Sequence, residues 1–126
     1  MKASILLCLL TLGAASVHAN PVTEVQNHYR DQGAGPFLFE RGEKLWQSRP
    51  YQGRQCADCH GRDLKQPGQH QRTRKPIDPM APSVTASRFT DLNKVEKWFK
   101  RNCKWTWDRE CTAQEKGDLL EYLRRL

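Results

Sequence analysis

The chain has 126 residues, 28% of them charged and 37% hydrophobic, with 21 Lys and Arg against 14 Asp and Glu for a formal net charge of +7. That length bounds it to one small domain, and a mean hydropathy of −0.83 describes a polar surface around a modest core rather than a membrane-embedded protein. The basic balance comes without any nucleic-acid recognition motif, so it fits docking or solubility better than DNA or RNA binding.

In chain order, residues 1–19 read as a secretory signal peptide. Lys2 supplies the positive start, Ile5 to Leu12 the apolar core, and Val17-His18-Ala19 a small residue at each cleavage position. The apolar stretch is too short to span a bilayer. The expected mature protein is therefore residues 20–126, exported to the periplasm, not membrane-spanning, and carrying +6 once Lys2 is removed. Cys8 leaves with the leader, and four cysteines remain in an oxidising compartment.

Pro21 to Tyr29 forms a short first helix, which Asp31-Gln32-Gly33-Ala34-Gly35-Pro36 breaks. The next helix spans Glu40 to Ser48, with Leu45 and Trp46 on its apolar side and Pro50 closing it. Gly42 and Trp46, one turn apart, suit a close crossing with another helix. The partner is the final segment, where Thr112-Ala113-Gln114-Glu115 reads as a capping box and Leu119, Leu120, Tyr122, Leu123 and Leu126 form an apolar stripe. A further helix begins near Asp91, carries Leu92, Val95, Trp98 and Phe99 at helical spacing as core residues, contact with a haem wall being a special case of that packing, and ends near Arg101. No alternating strand pattern stands out, so the expected class is all-α.

Between the first two helices and the last two lies the chemistry. Cys56-Ala57-Asp58-Cys59-His60 has the spacing of covalent haem attachment: each thiol can add across one vinyl group to form a thioether, and the adjacent imidazole reaches the iron as proximal ligand. Cys-x-x-Cys alone also serves redox dithiols and zinc sites, but export and the lack of a second zinc-type pair favour haem c. A haem would supply much of the core that so short a chain lacks. The remaining thiols, Cys103 and Cys111, pair most simply as a disulfide worth about 2 to 3 kcal/mol by loop-closure entropy.

From Gly61 to Pro82 a long loop rich in Gly, Pro and basic residues follows, of the kind that wraps a cofactor edge. Lys65, Arg72, Arg74 and Lys75 are placed to steer an acidic redox partner, and Arg62 or Arg74 to pair with haem propionates. Trp105 and Trp107 fall within the expected disulfide loop.

Four side chains are candidates for the second axial position. Met80, in Pro79-Met80-Ala81-Pro82, would make a closed electron carrier. His28 or His70 would also close the iron. Asn102 reads first as a helix C-cap, but its amide oxygen is a hard, weak ligand that suits ferric iron and is readily lost from ferrous.

Ala81-Pro82-Ser83, Arg88-Phe89-Thr90-Asp91, Val95-Glu96-Lys97-Trp98, Arg101-Asn102-Cys103, Asp108-Arg109-Glu110-Cys111-Thr112 and Glu115-Lys116 with Asp118-Leu119-Leu120, taken with the haem motif, resemble the SHP (sphaeroides haem protein) family. The likeness runs from about Glu40 to the end. It implies a class I cytochrome c fold with one covalent haem c, His60 as proximal ligand, Asn102 as a distal ligand that leaves on reduction, and a disulfide between Cys103 and Cys111. It also implies oxygen or nitric oxide as ligand of the ferrous haem, with a dihaem cytochrome c, and in some cases a membrane cytochrome b, as electron donor. Met80 is a departure from the family pattern and leaves a competing sulfur ligand. A haem-based ligand sensor is a further alternative. No residue supplies an evident distal acid or base, so terminal oxidase or nitric oxide or oxygen reductase turnover is left as a question for assay.

Overall fold

The computed structural model describes residues 20–126; the expected leader lies outside them. Helix α1 (Pro21–Arg30) starts where Asn20 accepts a hydrogen bond from the Val22 N–H (3.0 Å) and Pro21 occupies the first turn, the position at which a missing N–H costs nothing. Its buried face is Val22, Val25, Gln26 and Tyr29. Helix α2 (Phe39–Gln47) has no side-chain cap of its own. Asp118 from the far end of the chain supplies it, accepting from the Leu38 N–H at 2.8 Å and from Arg41 at 2.7 Å.

The one-turn helix α3 (Ala57–His60) holds the Cys-x-x-Cys-His motif. The following loop contains a minimal antiparallel pair, β1 (Gly68–Gln69) with β2 (Pro76–Ile77), which periodicity cannot reveal at two residues per strand. It passes so close to the motif that a Cβ at Gly68 would lie 2.2 Å from the Cys59 carbonyl oxygen. Only glycine fits there.

Helix α4 (Leu92–Trp107) is capped by Asp91, whose side chain accepts from the Lys94 N–H at 3.1 Å. It runs six residues beyond the expected end near Arg101. Nothing between Arg101 and Trp107 breaks a helix, and Val95, Phe99, Cys103 and Thr106 continue one inward stripe. The left-handed stop falls on Asp108 (φ 54°), so Trp105 and Trp107 belong to the last turns of α4 rather than to an irregular loop. Helix α5 (Ala113–Leu123) opens on the expected capping box, with both Thr112 and Glu115 side chains bonded.

The α2–α5 crossing is the main helix contact, and it closes on Gly42, where a Cβ would sit 2.0 Å from the Asp118 carbonyl oxygen. Two apolar clusters result. Val22, Val25, Tyr29, Phe37, Val95 and Leu120 tie α1 to α4 and α5. Trp46, Leu64, Met80, Leu119, Tyr122 and Leu123 form the second, under the haem motif. No helix among the described residues is long and apolar enough to cross a membrane.

Candidate haem site

A cavity of about 830 Å³ opens between α3, the β1–β2 loop and α4, with Cys56, Cys59 and His60 on its wall. Its size is that of a cofactor pocket, which runs to roughly 1,000 Å³. Asp58 folds the motif by accepting from the Gln55 N–H (3.0 Å), and the His60 N–H returns to the Cys56 carbonyl (3.1 Å). Gly61, at φ 76°, turns the chain away.

The His60 ring lies 5.4 Å from that of Trp46. Its Nδ1 is the buried side-chain polar atom that lacks a hydrogen-bond partner among the described residues. Burial, and secondarily the nearby Arg88 charge, pushes the ring's pKa down to about 4, so the imidazole is neutral. A neutral, otherwise unpaired buried imidazole is the form that binds a metal. The thiols of Cys56 and Cys59 are both free, and burial pushes the Cys56 thiol up to about 12 despite the Thr106 hydroxyl beside it. Among the described residues no group of three or more His, Cys, Asp or Glu assembles into a metal cage, which leaves a donor set of two thiols and one imidazole. Those residues fit a covalent haem.

The sixth-position candidates separate. Asn102 sits on α4, exposed and on the cavity wall, in register with Trp98 one turn before and Thr106 one turn after. It is not the C-cap, which is Asp108. Cys103, directly after it, is bonded to Cys111 with the Cα atoms 5.7 Å apart, so α4 is pinned next to Asn102. Met80 also reaches the cavity wall, but its side chain is buried among Trp46, Leu64, Leu119, Tyr122 and Leu123, sharing a cluster with the indole that faces His60. Its segment is clamped: Arg88 donates to the Pro79 carbonyl (2.9 Å) and to that of Asp78, and the Ala81 N–H to the Leu64 carbonyl (3.0 Å). His70 lines the cavity as well, with its Nδ1 taken by the Thr73 N–H (3.1 Å). His28 lies on α1 against the Gln32 side chain (2.8 Å) and is not among the cavity residues.

Trp98 lies on the cavity wall, the haem-wall form of the expected core packing. Neither Arg62 nor Arg74 is on the wall, whereas Arg54 and Arg88 are. Arg54 lies over the Trp105 ring (5.2 Å) and donates to the Trp105 carbonyl (3.2 Å), joining the haem-motif segment to the end of α4. Sequence reading missed both arginines, because their partners are ring faces and backbone carbonyls, which leave no residue pattern.

A small helical fold around a cavity walled by Cys-x-x-Cys-His defines a class I cytochrome c, with one covalently bound haem c as cofactor. Residues 32–123 match the family described as "Domain of unknown function (DUF1924)". The cytochrome c-type protein SHP of Cereibacter sphaeroides is 44% identical over 99 residues, covering 75% of this chain and 76% of that protein. The structure of oxidised SHP, described as an oxygen-binding cytochrome c, aligns with a TM-score of 0.77 and 40% identity over 83% of this chain and 96% of the other. A solution structure of Methylophilus methylotrophus cytochrome c'', presented as insight into haem-ligand detachment, aligns with a TM-score of 0.61 and 28% identity over 82% and 88%. The chain belongs to this DUF1924, or SHP, family of c-type cytochromes.

Proposed function

We propose that the protein is an exported, periplasmic cytochrome, residues 20–126 after loss of residues 1–19, in which Asn102 is a redox-labile distal ligand and the reduced form binds oxygen or nitric oxide. Haem attached here supplies a one-electron iron couple and, when a coordination position opens, a site for a small diatomic gas. Cys56 and Cys59 would tether it by thioethers, and His60, its ring held against Trp46, would supply an imidazole to the iron.

The observation that carries the reading is the division of the two candidate ligands. Both line the cavity, but Asn102 does so from the exposed face of a pinned helix, while Met80 is buried in the apolar cluster that includes Trp46. A carboxamide oxygen is a weak, hard donor that favours ferric over ferrous iron, so Asn102 would hold ferric iron and be free to leave the ferrous form. The disulfide to Cys111 and the Arg54 clamp on Trp105 keep α4 in place while the side chain moves. The oxygen binding of the SHP relative and the haem-ligand detachment studied in cytochrome c'' support the same reading. The electron donor in this reading is a dihaem cytochrome c, with a membrane cytochrome b alongside it.

The ferric spectrum of purified holoprotein tests this. Asn102→Ala is expected to change the ferric coordination state and Met80→Ala to leave it. A methionine–iron charge-transfer band that vanishes in Met80→Ala, with Asn102→Ala unchanged, overturns the assignment.

A further inference from the structure

The outer face of α4 carries Lys94, Lys97, Lys100, Arg101 and Lys104, all exposed, and its one acidic residue, Glu96, is turned away from them. Glu96 is spent inside, accepting from Tyr29 Oη (2.5 Å) and from Lys116 Nζ (2.8 Å). Of the five cations only Lys104 has an ion-pair partner among the described residues, Asp108 at 2.9 Å. At a helical 100° per residue, Lys94, Lys97, Arg101 and Lys104 share one stripe. Bordering that stripe on the cavity side is Trp98, with the Arg101 guanidinium 5.5 Å over its ring.

Trp98 lines the haem cavity at the border of this stripe. A stripe of cations, three of its four without an ion-pair partner among the described residues, running beside a tryptophan at the cavity rim has the anatomy of a charged interface rim next to an aromatic anchor. The basic β1–β2 loop also borders the cavity, through Arg72 and Lys75, but it has no exposed aromatic to act as anchor.

We infer that this face of α4, centred on Trp98, is the docking surface for an acidic redox protein, and that Trp98 is the contact through which the partner reaches the haem edge. This rests on the electron-receiving role proposed above. In the docked complex one electron passes from the partner to the ferric iron; the partner is oxidised by one electron, the iron becomes ferrous, and no bond between the proteins forms or breaks. An anionic membrane would also meet a basic helix, but a bilayer seated over Trp98 would cover the cavity mouth and offer no electron.

The test uses full-length holoprotein and flavodoxin, a strongly acidic electron carrier, as probe. Lys94→Glu/Lys97→Glu on the stripe is compared with Arg30→Glu/Lys44→Glu, which changes the net charge equally at exposed positions off the cavity wall. At low ionic strength, where the Debye length is about 30 Å, the stripe variant is expected to be reduced by flavodoxin hydroquinone on the order of tenfold more slowly than wild type. Oxidised flavodoxin titrated onto ferric holoprotein should lose affinity by a similar factor and should no longer shift the Trp98 indole N–H resonance; the control variant should match wild type within about twofold.

Equal losses in both variants reduce the effect to net charge and overturn the surface. Wild-type rates in the stripe variant, with a specific loss of binding to phosphatidylglycerol vesicles, overturn it in favour of a membrane. Reduction by dithionite separates the two readings: if this strong small donor also fails to reduce the haem, the electron-transfer role falls, whereas normal reduction by it leaves flavodoxin rates to judge the docking surface alone.

Discussion

Replacing Gly42 with Ala tests whether the α2–α5 crossing positions the haem site. The added methyl carbon would lie 2.0 Å from the Asp118 carbonyl oxygen and 2.7 Å from Tyr122 Cβ, more than 1 Å inside ordinary contact for the first. Both obstacles belong to the backbone or first side-chain atom of α5, so a rotamer change cannot relieve them and the helices must part. Overpacking of this kind costs about 1–3 kcal/mol, and backbone against backbone belongs at the upper end. The better helix propensity of Ala returns about 0.5–1 kcal/mol, for a net loss of about 2 kcal/mol. For a domain this size that is a fall of roughly 10 °C in Tm. Trp46, one turn beyond Gly42 on α2, would move relative to His60, so the haem absorption should shift along with stability. Thermal unfolding of the holoprotein followed by circular dichroism reads the first effect and the visible spectrum the second. Lys44→Ala, on the exposed side of α2, serves as control and should stay within about 0.5 kcal/mol. An unchanged or raised Tm in Gly42→Ala, with an unaltered haem spectrum, would refute the argument.

Two other outcomes are expected. Cys103→Ser/Cys111→Ser should lower stability by about 2 to 3 kcal/mol in denaturant titration and speed ligand exchange at ferric iron, because Asn102 then sits on an unpinned turn; stability lost with exchange rates unchanged would make the bridge purely structural. Glu115 is held below the usual carboxylate range chiefly by its hydrogen bond from Arg109, against the opposing effect of burial, with help from the Thr112 N–H. A depressed folded pKa means that its contribution is complete above an unfolded value of about 4.3 and is lost as pH falls through the lower folded value. Glu115→Gln should therefore flatten the fall in Tm at acid pH, and an identical acid limb in wild type and variant would contradict this.

Much of this molecule was legible in its sequence because the features involved are local. The Asp91 and Thr112 caps, the Gly42 crossing and the haem motif are each written in a few neighbouring residues. The end of α4 was not, since Asn102 is a common helix stop and only the continued burial of Cys103 and Thr106 overrides that preference. The helical spacing of Trp98 from Val95 and Leu92 reads as core or as haem wall, and with the cavity on one side of α4 it is the second. The place of Met80 depends on tertiary packing: nothing in Pro79-Met80-Ala81-Pro82 tells that its side chain joins the apolar cluster of Trp46, Leu64 and Leu119. Arg54 and Arg88 escaped for the same reason, their partners being a ring face and backbone carbonyls far along the chain.

The most direct test of the redox-labile Asn102 is an anaerobic titration of dithionite-reduced holoprotein with nitric oxide, followed by absorption and resonance Raman spectroscopy. The account predicts that the ferrous wild type is already five-coordinate, binds nitric oxide stoichiometrically, and does so at the same rate as Asn102→Ala. A ferrous wild type that stays six-coordinate and low-spin, and accepts nitric oxide only after Met80→Ala, would contradict it.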